Sequence, residues 1–555
     1  MNRLSTSIVT SLALSLSLAA CGGGTQSVTQ PAPFPTGDTG GTTEPAPPPD
    51  PTPKADPMPT QTAGPQELTF PDEAFRAEQP KAGAPRPFNL PAIKTFALSS
   101  GVKVYLVEQH TLPIVSVDLS FDGGAAADPK GKRGLSSVCM AMMTEGTVAR
   151  DKIAYSEALA DLASSVSSYA GEDSQGVSMG SLSKHFPATF ELFVETLTSP
   201  GFRQADLERM IKRRVESIKQ AKASPESLAN RVSGPVLMGP DHPYGAVTTE
   251  ASLGAITVDD CKAHHAKWLR PRGARLFVFG DLTEAQIRQA FDGDGLKAWK
   301  GTMPKGPAFA GAKTQAGRVF LVDVPGAAQS QISLMHMGPK RTAPDFLANS
   351  AMSAILGGGF TSRVNMNLRE DKGYSYGARG GFNYGKAYGT FSAGASVRTD
   401  STYQSILELT KEVRALASAT TPPTDAELER EKQSAILGLP GRFATGGAAL
   451  GNFRSLVYYG LPLDYYNTYV DKVGKVTTGQ LVASAKKHLK LGQAVYVVVG
   501  DGSAKMIERK DGKDVPLMKD GKQLTLREAL ADLVARGELG RGALVTLDAD
   551  GRPVK

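Results

Sequence analysis

The chain has 555 residues, of which 41% are hydrophobic and 21% are charged, and its formal net charge is +7. This length and composition are typical of several ordinary globular domains. No block of Lys and Arg with interleaved aromatic residues accompanies the mild positive charge, which argues against binding to nucleic acid. We expect the basic residues to be spread over solvated surfaces.

Residues 1–21 have the pattern of a signal peptide. Arg3 provides a positive start, and the apolar run at 8–20 is too short to span a bilayer. The run ends in Leu18-Ala19-Ala20-Cys21 and three glycines follow, a pattern that resembles a bacterial lipobox. It predicts a lipidated Cys21 that anchors the chain to the bilayer, since each buried CH₂ contributes ~0.8 kcal/mol. The alternative is an ordinary cleaved signal with a chance cysteine.

Residues 22–66 form a segment of biased composition. They contain 12 prolines among 45 residues, together with many Gly and Thr. Such a segment cannot bury enough apolar surface to fold. The composition predicts an extended, semi-stiff tether that holds the folded part away from the membrane.

The chain has only three cysteines, Cys21, Cys139 and Cys261. Their number and spacing indicate neither a disulfide framework nor a paired-cysteine zinc site. Cys139 lies in an apolar helical stretch and is predicted to be a core residue. Cys261 begins Cys261-Lys262-Ala263-His264-His265, which superficially resembles a metal cluster. Because no second cluster accompanies it, we expect a packed helix that ends at Trp268.

After the tether, the same order of predicted elements occurs twice. Each copy begins with two strands and a glycine-containing helix, and each ends with a long amphipathic helix and a strand that leads into Gly-Asp. The first copy has strands at 102–107 and 114–121, a helix at 134–145 and a closing strand at 274–279, and the second has strands at 319–324 and 331–337, a helix at 349–356 and a closing strand at 494–499. The parallel indicates an internal duplication.

The mixture of strands and long helices, without strict alternation, predicts an α+β fold. The predicted boundaries are 67–285 for the first domain, 286–317 for a linker, 318–502 for the second domain and 503–555 for a C-terminal extension. In the extension, Thr525-Leu526-Arg527-Glu528 has the form of a capping box for a short helix.

Short motifs run through the duplicated region in a fixed order. In the first half they are Gly134, Glu145-Gly146-Thr147, His242-Pro243-Tyr244-Gly245, Trp268-Leu269-Arg270-Pro271 and Gly280-Asp281. In the second half they are Pro325-Gly326-Ala327-Ala328-Gln329-Ser330-Gln331, Leu356-Gly357-Gly358-Gly359-Phe360-Thr361-Ser362-Arg363, Leu368-Arg369-Glu370-Asp371-Lys372-Gly373-Tyr374-Ser375-Tyr376-Gly377 and Tyr459-Gly460-Leu461-Pro462. Together they resemble the insulinase/pitrilysin metalloprotease family, which includes bacterial processing-peptidase-like proteins. The resemblance implies two similar domains, each an antiparallel sheet packed with helices, which form one half of a clam-shell chamber.

Active members of this family carry an inverted zinc motif, His-x-x-Glu-His, on the first-half helix. Positions i and i+4 share a helix face, so that two His can bind one metal while the Glu acts as general base. In this sequence the matching positions are Ser137, Met140 and Ala141, and none of the three functional groups is present. Glu216 matches the family's third ligand, but one carboxylate cannot hold catalytic zinc, and the alternative is a solvated helix residue.

The second half of the family contributes an Arg and a Tyr that face the zinc site across the chamber. Arg369 and Tyr376 match this pair in type and spacing. A guanidinium can fix a substrate carbonyl, and a tyrosine hydroxyl can donate to the oxyanion that forms when water attacks a peptide. The alternative is a surface salt bridge for Arg369 and strand packing for Tyr376. Arg363 also belongs to a family motif, and we expect its role to be structural.

In active family members an edge strand pairs with the backbone of the substrate, a form of strand addition. The corresponding stretch of this sequence is about 166–182. The usual Asn-Ala pair is replaced there by Tyr169-Ala170, which places peptide binding by this half in doubt.

The resemblance implies a divided active site, as in heterodimeric members in which one subunit carries the zinc helix and the other the Arg/Tyr pair. The expected function is a non-catalytic subunit of a zinc peptidase that degrades or processes peptides in the cell envelope. We expect this chain to bind no metal or other cofactor, and we expect zinc in an insulinase-like partner with an intact motif. Because Gly22 rather than Asp follows Cys21, the predicted location is the outer membrane, facing the periplasm.

Two other functions remain open. The first is a peptide-binding or scaffold protein of the insulinase-like fold, in which the Arg/Tyr pair is kept for packing and has no role in catalysis. The second is an autonomous peptidase with a different metal site. No ligand set with suitable spacing is visible for the second among the seven histidines.

Overall fold

The structure is a computed structural model that describes residues 73–77, 90–308, 311–315 and 317–554. The predicted signal peptide, its Cys21 and the predicted tether lie outside the described residues. Contacts divide the chain into two units, Met1–Pro87 and Phe88–Lys555. In the first unit only one turn of 3₁₀ helix, Ala74–Ala77, is described.

The strands of the first half form a single sheet. They are β1 (Lys94–Ala97), β2 (Lys103–Glu108), β3 (Ile114–Asp122), β4 (Ser165–Ala170), β5 (Ser174–Leu182) and β6 (Arg275–Gly280). Their order across the sheet is β1-β2-β6-β3-β5-β4, so β4 is an edge strand. Neighbouring strands are antiparallel except for β2 and β6, which are parallel.

Helices cover this sheet. They are α1 (Leu135–Met142), α2 (Lys152–Asp161), α3 (Phe186–Thr198), α4 (Gln204–Lys222), α5 (Pro225–Met238), α6 (Glu250–Gly254), α7 (Val258–Trp268) and α8 (Glu284–Phe291). Helix α8 extends from the end of the predicted first domain into the stretch predicted to be a linker. Trp299 and Met303 are buried in the first core, so the connection between the halves is shorter than 286–317.

The second half repeats this arrangement. Its strands are β7 (Val319–Asp323), β8 (Gln329–Gly338), β9 (Ser375–Tyr384), β10 (Gly389–Arg398) and β11 (Val495–Gly500). Their order is β7-β11-β8-β10-β9, which matches β2-β6-β3-β5-β4 position by position. The predicted α+β fold of two similar domains is therefore confirmed. The one parallel neighbour among these strands, β7 with β11, matches β2 with β6.

The helices of the second half include two π-helical turns, Ala354–Gly358 and Met366–Asp371. The α-helices are α9 (Phe346–Ser353), α10 (Arg363–Asn365), α11 (Thr402–Ser418), α12 (Asp425–Leu437), α13 (Gly446–Tyr459), α14 (Tyr469–Gly474) and α15 (Thr478–His488). Single π-helical turns are rare in proteins, and those that occur are often found at functional sites.

Each half covers part of the other half's sheet. Helix α5 of the first half packs on the second sheet, where Val236 contacts a cluster that contains Val497. Helix α13 of the second half packs on the first sheet, where Phe453 belongs to a cluster with Phe277. Because apolar surface from both halves is buried in these two clusters, the halves form one folded body.

The C-terminal extension completes the second sheet. It contains β12 (Ile507–Lys510), β13 (Lys513–Pro516), β14 (Met518–Lys519), β15 (Lys522–Gln523), α16 (Leu526–Ala535) and β16 (Leu544–Leu547). Thr525 caps α16 with the predicted capping box. Strand β16 pairs with β7 in parallel, at the sheet position that β1 holds in the first half. Asp550 then bonds Arg231 of α5 at 2.7 Å, so the extension contacts both halves.

No helix in the described ranges is both long enough and apolar enough to cross a membrane.

Candidate functional site

The positions that match the lost zinc motif lie on α1, where they serve packing. Met140 is fully buried in the first core, and Ala141 is partly buried beside it. The hydroxyl of Ser137 accepts a hydrogen bond from Arg214 Nη1 at 2.8 Å, and the Ser137 carbonyl accepts one from Arg214 Nη2 at 3.1 Å. A guanidinium therefore lies against the first position of the motif. These residues do not fit a zinc ion, because none is a good zinc ligand and Arg214 is a cation.

Arg214 has no carboxylate partner in the part of the chain that the structure describes. It is partly buried on α4, and its hydrogen bonds go to Ser137 alone. Burial and the neighbouring charge of Arg213 lower the pKa of the Arg214 guanidinium from its usual value. Arg209 on the same helix differs, because Glu145 and Asp206 lie 2.6 and 2.8 Å from its Nη2.

Glu216, the match to the third zinc ligand, does not lie beside Ser137. Its carboxylate pairs with Lys219 at 2.7 Å on the exposed side of α4. Two residues along a helix correspond to a rotation of about 200°, so Glu216 and Arg214 lie on opposite faces. The sequence pattern indicates this placement, since Leu207, Met210 and Ile218 are the buried apolar residues of α4 and Arg214 lies on the same face.

Tyr169 replaces the family's Asn on edge strand β4. Its side chain lies over the face of its own sheet and extends past β5 to β3. A Cβ at Gly176 would lie 2.5 Å from the Tyr169 hydroxyl, so the neighbouring strand needs glycine there. The hydroxyl donates to Asp118 Oδ1 of β3 at 3.1 Å. Arg454 of α13 donates to Asp118 Oδ2 at 3.2 Å, and its guanidinium lies 4.8 Å from the centre of the Tyr169 ring. This side chain thus belongs to a network that joins the two halves.

Burial dominates the electrostatics of that network. It raises the pKa of the Asp118 carboxyl, against the opposing influence of Arg454 and Tyr169. It also raises the pKa of Tyr169, with a further contribution from the Asp118 charge. A raised carboxyl pKa means that the folded chain carries the Asp118 charge at a cost, which Arg454 partly offsets.

Arg369 lies in the second π-helical turn, Met366–Asp371, which packs against β9. Its side chain is 41% exposed, and its Nε forms one ion pair, with Glu370 at 3.3 Å. The guanidinium carbon lies 4.7 Å from the centre of the Phe360 ring, within the range of a cation–π contact. One weak surface pair and one aromatic face leave most of the guanidinium donors available to a ligand.

Tyr376 lies at the start of edge strand β9 and is 88% exposed. Its hydroxyl forms no hydrogen bond with any described residue. Phe360 and Met366 are also exposed and belong to the same segment as Arg369. We call Phe360, Met366, Arg369 and Tyr376 the Arg/Tyr patch.

Buried contacts fix the position of the Arg/Tyr patch. The Asn365 side chain donates to the Phe360 carbonyl at 2.6 Å and accepts from the Ala378 backbone N–H at 3.0 Å. The first π-helical turn approaches β9 so closely that a Cβ at Gly357 would lie 2.2 Å from the Gly380 nitrogen. The glycine motif therefore brings this helix against the strand that carries Tyr376. Sequence reasoning missed Asn365 as a positioning residue.

Arg363 has a different environment from Arg369. It is 12% exposed, and its Nε and Nη2 bind both oxygens of Glu427 at 2.9 and 2.8 Å. Its remaining donors bind the carbonyls of Thr421 and Pro422. The partners of Glu427, chiefly Arg363, lower its pKa to about 2 although burial opposes the shift. All these bonds are internal, as expected of a structural residue.

The two cysteines of the folded part form a disulfide, which corrects the expectation of separate core thiols. Cys139 of α1 and Cys261 of α7 have Cα atoms 4.8 Å apart, and both are buried. The neighbouring histidines have other partners: His264 lies 2.7 Å from Gln175 Oε1, and His265 lies 2.7 Å from the Leu197 carbonyl. Across the described ranges, no group of three or more His, Cys, Asp or Glu could hold a metal ion.

Comparison with known proteins agrees with the loss of the zinc motif on α1. Residues 103–234 match the family model of insulinase (peptidase family M16), and residues 255–435 match that of the peptidase M16 inactive domain. A Helicobacter pylori protein called non-peptidase homolog YmxG is 22% identical over 405 residues, which are 72% of this chain and 92% of that protein.

Solved structures share the fold. A peptidase M16 inactive domain from Pseudomonas fluorescens has a TM-score of 0.66 and 27% identity, and the match covers 74% of this chain and 98% of that one. A protease from Helicobacter pylori has a TM-score of 0.67 and 18% identity, with 74% and 100% covered. The chain belongs to the insulinase family, peptidase family M16, and is an inactive member of it that lacks the zinc motif.

Proposed function

We propose that this chain is the Arg/Tyr-bearing subunit of a two-subunit zinc peptidase, whose partner is an M16 subunit with an intact His-x-x-Glu-His motif. Arg369 and Tyr376 would complete the partner's active site across a shared chamber. Arg369 would hold the substrate backbone, and Tyr376 would donate to the oxyanion as it develops. The chain alone would have no peptidase activity.

The contrast between Arg363 and Arg369 carries this proposal. The two arginines belong to neighbouring motifs, yet Arg363 is 12% exposed with internal partners and Arg369 is 41% exposed with one surface ion pair. If both motifs were kept only for packing, we would expect Arg369 to be buried and fully bonded as well. Tyr376, exposed and without a hydrogen bond to the described residues, supports the same conclusion.

We propose a cell-envelope location, with Cys21 as a lipid anchor in the outer membrane and the folded part in the periplasm. The Cys139–Cys261 disulfide supports an oxidising compartment, because such bonds persist in the periplasm and are rare in the cytosol. The lipobox-like sequence supports export independently.

Turnover of a labelled peptide by the reconstituted pair tests the proposal. Arg369→Ala and Tyr376→Phe in this chain are each expected to lower kcat by about 10²-fold, because each removes a group that stabilises the transition state. The partner would be an M16 subunit with the intact zinc motif from the same organism. Size-exclusion chromatography should show that complex formation is unchanged.

Arg430→Ala provides a matched control. Arg430 is 42% exposed and pairs with its neighbour Glu431 at 3.2 Å, much as Arg369 pairs with Glu370, but it lies on α12. This variant should keep the full turnover. Metal analysis of the chain alone should find no stoichiometric zinc. Unchanged turnover of the complex with Arg369→Ala and Tyr376→Phe would favour the scaffold function instead.

A further inference from the structure

We infer that the surface of α1 and α4 that has lost the zinc motif is a binding site for a peptide carboxylate, with Arg214 as its anchor. The ligand would be a peptide that carries an acidic side chain or a free C-terminus beside edge strand β4. This site lies in the first half and is separate from the Arg/Tyr patch. It is tested by binding to the chain alone, so its failure and that of the proposed function are distinguishable.

The first argument is charge. Arg214 forms no ion pair within the described ranges, and neither does its neighbour Arg213, whose positive charge acts on it. The carboxylates nearby are already occupied, since Glu145 binds Lys152 and Arg209, and Glu216 binds Lys219. A partly buried guanidinium without a counter-charge is costly, and an incoming carboxylate would relieve that cost.

The second argument is geometry. A guanidinium has five N–H donors. Two of them are donated to the hydroxyl and carbonyl of Ser137, which leaves three for a ligand and fixes the orientation of the planar group. A fixed guanidinium can bind both oxygens of a carboxylate, and such bidentate pairs are among the stronger hydrogen-bonded contacts in proteins.

The third argument is the position beside β4. Ser168 of this edge strand donates to the Met140 carbonyl of α1 at 2.6 Å, and Ser137 lies about one helical turn before Met140. An edge strand presents unpaired backbone groups to which a peptide can add. A peptide that pairs with β4 would therefore pass close to Arg214. The same peptide could form main-chain hydrogen bonds with β4 and bind Arg214 through its carboxylate.

Fluorescence anisotropy with labelled peptides tests the inference on the full-length chain. The peptides share length and apolar content. One has a central Glu and an amidated C-terminus, one has no acidic residue and a free C-terminus, one has neither, and one has Lys in place of Glu. We expect at least one carboxylate peptide to bind about tenfold more tightly than the neutral amidated peptide, with the Lys peptide weakest. The first two peptides distinguish a side-chain carboxylate from a terminal one.

Arg214→Gln should reduce the affinity of the carboxylate peptides to that of the neutral peptide. The matched control is Lys212→Gln, which removes one exposed positive charge from the same helix and should change affinity by less than about twofold. If Arg214→Gln perturbs folding, Ser137→Ala leaves Arg214 in place but removes one of the two hydrogen bonds that orient its guanidinium, and it should weaken carboxylate binding several-fold. The inference is overturned if carboxylate peptides bind no more tightly than the neutral one, or if their advantage survives both substitutions.

Discussion

Removing the Cys139–Cys261 disulfide is expected to lower the free energy of unfolding of the first half by about 3–5 kcal/mol. The bond closes a loop with a sequence separation of 122 residues, so in the unfolded chain it removes much conformational freedom. The loop-closure relation gives about 5 kcal/mol for a loop of this length, and measured values are usually somewhat smaller. The bond also joins α7 to α1, the helix on which the zinc motif is lost.

The two tryptophans of the chain make this effect measurable. Trp268 and Trp299 are both buried in the first core, so their fluorescence reports unfolding of that half. Thermal unfolding of Cys139→Ala/Cys261→Ala should begin roughly 10 °C below that of the oxidised protein, since 1 kcal/mol corresponds to about 2–4 °C for a domain of this size. The midpoint of unfolding in urea should fall to a lower concentration as well.

Reductant provides the control for the disulfide. Dithiothreitol should destabilise the wild-type chain by a similar amount and should leave the double variant unchanged. Proteolytic digestion without reduction should release the peptides of Cys139 and Cys261 as one linked species. If the digest yields two separate thiol peptides, or if reductant does not move the transition of the wild-type protein, the predicted stabilisation is wrong.

The fold could be predicted from the sequence because its main signals are local. Strand alternation and the Gly-Asp ends recur in the same order in each half, and observed strands such as Ile114–Asp122 and Val495–Gly500 lie within about one residue of the predicted ranges. The exchange of α5 and α13 between the sheets could not be predicted this way, because an amphipathic helix does not specify which sheet it covers. Pairing of β16 with β7 likewise depends on contacts distant in sequence.

The site was only partly predictable for the same reason. The loss of the zinc motif could be predicted from the sequence alone. Serine at position 137 is a poor zinc ligand, however the surrounding helices pack. The cysteine pairing was missed because spacing rules detect close cysteines, whereas this loop spans 122 residues. Asp118 offered a usable signal: a carboxylate between Val117 and Leu119 in a buried strand requires a partner. Only the fold identifies that partner as Arg454.

Arg454→Met is expected to destabilise the protein by about 2–4 kcal/mol at neutral pH. The change keeps an apolar side chain against Tyr169 but leaves the Asp118 charge buried without its cation. Breaking a buried ion pair usually costs about 3–5 kcal/mol. We expect a smaller loss because the Arg454 side chain is 37% exposed in the folded chain.

The predicted loss depends on pH in a definite direction. The folded-state pKa of Asp118 is already raised above its usual value, and removal of Arg454 should raise it further. A raised carboxyl pKa contributes stability that is complete below the unfolded pKa and is lost as the pH rises through the folded one. The penalty of Arg454→Met should therefore be largest at about pH 7.5 and should shrink toward about pH 4.5, as Asp118 becomes protonated.

A double-mutant cycle with Asp118→Asn isolates this pair. Asparagine keeps a hydrogen-bond acceptor for Tyr169 but carries no charge, so Arg454→Met in that background should cost less than about 1 kcal/mol at every pH. The coupling energy at neutral pH should be about 2 kcal/mol, read from urea titrations followed by tryptophan fluorescence. An equal, pH-independent loss in both backgrounds would show that Arg454 acts by packing alone. A measurable coupling would instead show that the charge of Asp118 and Arg454 helps to join α13 to the first sheet, in addition to the apolar cluster that contains Phe453 and Phe277.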